Sequence, residues 1–170
     1  MIAIYLREII FGFEDSFVST LGMITGVAAG TMNSQIVLLS GTVLVVVEAI
    51  SMGAGSYLSA KTEEEVEATH RHRRVKEARE HPMLAGGIML VSYLVGGLFP
   101  LAPYLFLPTG QAMAVSIPLT IFLLFLLGAW KTRFTKRSWW KSGLEMVVIC
   151  SVAVALGYVI GQALSVVSVP

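Results

Sequence analysis

The sequence predicts an all-α integral membrane protein with five transmembrane helices, and three observations carry the prediction. Of its 170 residues, 55% are hydrophobic and 14% charged, at a mean hydropathy of +0.77. Soluble domains carry about 25% charged residues, so this chain has too little polar surface to face water on every side. Apolar runs approaching the ~20 residues needed to cross a bilayer recur along the whole length. Lys and Arg, finally, are confined to every second connection between those runs.

Taken in order, residues 2–13 carry Arg7 and Glu8 among apolar residues and lack a cleavage site, so they do not form a signal peptide. They read either as an amphipathic lead-in at the membrane surface, offering Ile9, Ile10, Phe11 and Phe13, or as an extension of the first span. That span covers 15–32 and ends at Asn33-Ser34-Gln35. The second covers 36–60 and stops at Lys61, where a charged segment, 61–82, begins. A third span over 83–101 leads into a proline-rich stretch (Pro100, Pro103, Pro108), a fourth covers 113–130, and a basic loop precedes the fifth at 144–164. One membrane domain spans 1–170.

With five spans, all 12 Lys and Arg fall on one side: Arg7, the cluster from Lys61 to Arg79, and the cluster from Lys131 to Lys141. The positive-inside rule makes that side cytoplasmic, with the N-terminus inside and the C-terminus outside or lumenal. Trp130, Trp139 and Trp140 flank the second basic loop as interfacial anchors would. A net charge of +1 says nothing about a nucleic-acid partner, and none is expected. The single cysteine, Cys150, lies in an apolar run and reads as a small buried hydrophobe.

Ionisable residues within spans are costly and point to function. Asp15 and Glu48 qualify, whereas Glu145 sits at the interface. If the first two spans form a hairpin about Ser34, Asp15 lies 19 residues before the turn and Met52 18 after it, so the two are level. Glu48 stacks one turn away from Met52 on the same face. Carboxylate oxygen suits hard and borderline cations and thioether sulfur softer ones, so together they favour a transition metal; a Met in such a span also serves simply as packing. Gly22, Gly26 and Gly30 continue the Asp15 face as a small-residue stripe for close helix packing. In the charged segment, Glu63, Glu67 and His70 share a helical face. They read as a solvated, ion-paired helix or as a low-affinity site that collects metal.

Four segments, in order, resemble the vacuolar iron transporter family. These are Asp15-Ser16-Phe17-Val18-Ser19-Thr20-Leu21-Gly22 with Gly26-Val27-Ala28-Ala29-Gly30; Ser51-Met52-Gly53-Ala54-Gly55-Ser56-Tyr57-Leu58-Ser59; Ser92-Tyr93-Leu94-Val95-Gly96-Gly97-Leu98-Phe99-Pro100-Leu101; and Lys141-Ser142-Gly143-Leu144-Glu145-Met146. The resemblance implies proton-coupled export of ferrous iron, and often manganese, by a homodimer whose metal path lies between protomers. Its acid and methionine fall on Asp15 and Met52. Two departures stand out: Ser56 occupies a position that is commonly Glu, and Glu48 one that is usually small. Glu48 is therefore expected to supply a second carboxylate or to carry the proton. No permanently bound cofactor is expected; Fe2+ or Mn2+ would be the substrate and the bilayer the surroundings, in the plasma membrane of a bacterium or a vacuole-like membrane of a eukaryote. The sequence shows no enzyme constellation. Two rival readings are a non-transporting scaffold or anchor subunit and a proton-coupled organic-cation exporter.

Overall fold

In hydrocarbon every backbone N–H and C=O must be satisfied within the segment that carries it, and this chain meets the requirement with helices alone. The computed structural model describes residues 5–69, 81–135 and 137–167. They form α1 (Leu6–Thr31), α2 (Ser34–Thr69), α3 (Pro82–Phe106), α4 (Thr109–Lys131) and α5 (Trp139–Val167), with no strand among the described residues. Large apolar side chains such as Leu39, Val47, Ile50, Leu98, Phe122 and Leu156 stand exposed along α2 to α5. Such a surface belongs in lipid rather than in water, and the protein is an integral membrane protein.

Four helices, α2 to α5, are long and apolar enough to cross a membrane. The expected first span is the exception. α1 has 26 residues, but its acids, hydroxyl residues and glycines leave it without a stretch apolar enough to meet the same standard. Residues 6–13 continue into 15–31 as one unbroken helix, which is the extension rather than a separate surface helix. Met32 closes α1 in the left-handed conformation (φ 49°), its N–H donating to the Ala28 carbonyl at 3.0 Å. Asn33 Oδ1 then accepts the N–H groups of Gln35 (2.9 Å) and Ile36 (3.3 Å), capping α2.

The helices overrun the expected limits. α2 continues through Lys61 to Thr69, so the first part of the charged segment is helical. The proline-rich exit of the third span is corrected as well: Pro100 and Pro103 lie inside α3, and only Leu107 and Pro108 separate it from α4. A proline removes one backbone bond, whereas ending the helix there would strip several, and neighbouring helices can answer for the loss. Ser116 Oγ on α4 donates to the Pro100 carbonyl at 2.7 Å and so ties this stretch of α3 to α4, while the carbonyls that lose an N–H partner to Pro100 and Pro103 are those of Gly96 and Phe99. Pro118 is likewise held within α4, and α5 begins at Trp139, so the basic loop shrinks to 132–138.

Although α1 and α2 are joined by a two-residue turn, they do not form a simple side-by-side hairpin. α1 packs chiefly on α5 and α3, and α2 on α3. Close approach of backbones explains why. A Cβ on Gly26 would stand 2.7 Å from the Gly157 carbonyl oxygen, and one on Gly30 3.0 Å from that of Gly161. Gly22 faces the Ala153 carbonyl at 3.3 Å. The stripe of α1 is therefore a packing surface, and its partner is α5. Gly53 against Gly86 joins α2 to α3, and Gly128 against Gly143 joins α4 to α5. Leu21, Ile24, Leu124, Met146 and Cys150 fill the centre and are fully buried.

Candidate functional site

The polar residues of α1 are spaced so that Asp15 and Ser19, four apart, share a face, with Ser16 turned toward α3. Ser16 is buried and its Oγ donates to the Tyr93 backbone carbonyl at 2.7 Å. Small residues on α3 permit the approach: a Cβ on Gly96 or Gly97 would meet the Ser16 side chain at 3.1 Å. Ser19 Oγ lies 2.6 Å from the Tyr93 hydroxyl. That hydroxyl in turn donates to Glu48 Oε2 on α2. Tyr93, completely buried, thus ties three helices together, its hydroxyl reaching Ser19 on α1 and Glu48 on α2.

Asp15 and Glu48, the two acids singled out within spans, are both half-buried and near enough to feel each other's charge. Asp15 also heads a groove of about 790 Å³ that runs along α1 to Thr31, with α5 as its other wall and Ile36 and Ser40 of α2 at its far end. Asp15 is the one ionisable residue among those lining it; Ser19, Gly22, Gly26 and Gly30 follow it down the groove. Met52 is half-buried on α2, one turn beyond Glu48. Ser56, at the position where an acid was expected, is buried, and its hydroxyl has no partner among the described residues.

Among the described residues no three His, Cys, Asp or Glu side chains gather closely enough to hold a metal. Glu63 is exposed on the extension of α2, and Lys61 pairs loosely with Glu65 at 3.9 Å. The Glu67 side chain and His70 lie outside the described residues.

Two residues of interest escaped sequence reasoning. Glu8 is fully buried; Arg7 Nε and Nη2 each lie 3.0 Å from its Oε1, while Oε2 has no partner among the described residues. Beside it the Tyr5 hydroxyl accepts the His81 N–H at 2.9 Å, fastening α1 to the start of α3. The seven-residue interval from Glu8 to Asp15 is two helical turns and was the available signal. Tyr93 could have been found by asking what a phenol in an otherwise apolar span would bond to.

Comparison with known proteins bears on what this arrangement serves. Vacuolar iron transporter 2 of Oryza sativa subsp. japonica is 26% identical over 217 residues, covering 93% of this chain and 87% of that protein. Vacuolar iron transporter 1 of Arabidopsis thaliana is 25% identical over 212 residues, covering 92% and 85%. An uncharacterised protein of Methanocaldococcus jannaschii is 25% identical over 170 residues, with 92% and 88% covered. The profile of the VIT family matches residues 6–82 and 73–162, two stretches that meet in the charged segment and together take in all five helices. The chain belongs to the VIT family.

Proposed function

We propose that the protein exports a divalent transition metal, ferrous iron or manganese, from the cytoplasm in exchange for protons. The observation that carries this reading is the pair of half-buried carboxylates within the helix bundle: Asp15, which heads a groove, and Glu48, whose charge reaches it. Apolar helices do not keep two neighbouring acids without a use for them, and a cation or proton is what such a pair attracts. The iron transporters among the relatives supply the substrate class. Met52 adds a thioether one turn from Glu48, which tilts the donor set toward iron or manganese over calcium.

In this reading all five helices cross the bilayer, α1 being shielded from lipid by α3 and α5. The basic ends face the cytoplasm, with the N-terminus inside and the C-terminus outside. One chain brings Asp15, Glu48 and Met52 to the path, and no three His, Cys, Asp or Glu side chains gather among the described residues, so the working unit is a homodimer in which two copies of these residues face one path. The plasma membrane of a prokaryote or a vacuole-like membrane of a eukaryote would hold it. The acids on the α2 extension, Glu63 and Glu67 with His70, would gather metal on the cytoplasmic side.

Uptake of Fe2+ or Mn2+ into proteoliposomes under an imposed proton gradient tests the proposal. Gradient-dependent flux is expected in the wild type, falling to background in Asp15→Ala and Met52→Ala. A folded wild type that moves neither metal would instead favour a scaffold role or organic-cation export. Unchanged metal flux and pH dependence in Glu48→Gln would remove Glu48 from the path while leaving the rest intact.

A further inference from the structure

We infer that Tyr93 is a positioning residue that sets how Glu48 meets the metal, favouring one-oxygen coordination through Oε1 and so discriminating against calcium. The inference rests on the metal-path reading and adds the residue that shapes its specificity. A glutamate on a helix has three rotatable bonds and can offer a cation one oxygen or two. Here the choice is biased. The Tyr93 hydroxyl donates to Oε2, and this is the single hydrogen bond Glu48 makes among the described residues, so Oε1 is the oxygen with both lone pairs free for a ligand.

The phenol is itself fixed. Its ring is completely buried, its hydroxyl meets Ser19 Oγ at 2.6 Å and its backbone carbonyl takes the Ser16 hydroxyl at 2.7 Å. A phenol carries one proton, so donating it to Glu48 leaves its oxygen to accept from Ser19. The chain of donors therefore runs from α1 through α3 to α2 and ends on one carboxylate oxygen. Asp15 shares the Ser19 face of α1, so the same anchor that fixes Tyr93 fixes the spacing of the two acids.

Calcium gathers about 6–8 oxygen ligands and commonly takes both oxygens of a glutamate. The phenol proton on Oε2 leaves that oxygen a second lone pair but draws on its charge and fixes the orientation of the carboxylate, so a symmetric two-oxygen grip is disfavoured. Ferrous iron and manganese, smaller than calcium and commonly six-coordinate, are served by one oxygen from a carboxylate. Partners that orient a metal-binding side chain typically matter by about 10- to 100-fold in affinity.

The test is Mn2+ and Ca2+ binding by calorimetry, together with flux kinetics, on purified wild type, Tyr93→Phe, Glu48→Ala and the double variant. Tyr93→Phe keeps the ring and its packing and removes only the hydroxyl. It is expected to weaken Mn2+ binding about 10- to 100-fold, to raise KM for Mn2+ flux more than it lowers kcat, and to narrow the preference for Mn2+ over Ca2+. In the Glu48→Ala background the same change is expected to do nothing further. Ser19→Ala, which leaves both the ring and Glu48 in place, should give a smaller loss of the same kind, so the outcome does not hang on one variant folding. Equal losses in both backgrounds, or an unchanged Mn2+ to Ca2+ ratio, would overturn the role of Tyr93 alone. A wild type that binds no Mn2+ would remove the metal path and this role with it.

Discussion

Glu8 illustrates what one side chain can demand of its surroundings. It is wholly buried, yet its visible partner, Arg7, is 60% exposed and reaches only one carboxylate oxygen. Removing that partner leaves a buried charge without compensation, which costs more than removing both. Arg7→Gln is therefore expected to lower the melting temperature in detergent, and Arg7→Gln with Glu8→Gln to recover part of the loss. A double variant that melts lower than Arg7→Gln would show that Glu8 is satisfied by something other than Arg7. The same residue explains a limit of sequence reading. Glu8 sits beside an arginine near the chain's start and looks like half of a surface pair. Asp15 and Glu48 were legible because charge inside an apolar run stands out. Tyr93 was not, because a phenol in a span counts as one more aromatic until its hydroxyl is followed to Ser19 and Glu48.

At the scale of helices, the interfaces are made where backbone meets backbone. The Gly26–Gly157 contact has no side chain that could move aside: a Cβ on either residue meets the opposite helix, Gly26 reaching the Gly157 carbonyl and Gly157 that of Gly22. Gly26→Ala and Gly157→Ala should each destabilise the protein by roughly 1–3 kcal/mol, read as a lower melting temperature. Gly55→Ala, where an added Cβ would meet nothing within 4 Å, should leave it unchanged. Comparable melting of all three would mean that α1 and α5 are not in backbone contact. The centres of the helices were plain in the hydropathy, and their ends were not. Pro100 and Pro103 looked like helix breakers because in water they would be. In an apolar setting the helix is retained, and Ser116 braces it from α4 through the Pro100 carbonyl. Likewise Lys61 looked like an end, although charge halts a hydrophobic run without halting a helix; α2 continues for eight residues past it, to Thr69. The pairing of α1 with α5 was beyond the sequence, since a glycine stripe states that something comes close and not what.

For the molecule as a whole, the arrangement of basic residues makes a topological prediction. With buried Cys150 replaced by serine, single cysteines placed at Thr62 and Arg133 should react with an impermeant thiol reagent from the same side of the membrane, and one at Gln35 from the opposite side. Labelling of Thr62 and Gln35 positions from one side would show that α2 does not cross. The two-residue turn between α1 and α2 and the glycine contacts make the bundle stiff, and α2 is its longest member. At about 1.5 Å per residue, its 36 residues extend roughly 54 Å, against a hydrocarbon core of about 30 Å. In the proposed topology one unbroken rod therefore carries Glu48 and Met52 within the bilayer and the acidic turn at Glu63, Glu64 and Glu65 outside it. In that topology the acidic turn and Glu48 belong to one hydrogen-bonded rod, so a displacement of its outer end is carried toward the carboxylate pair.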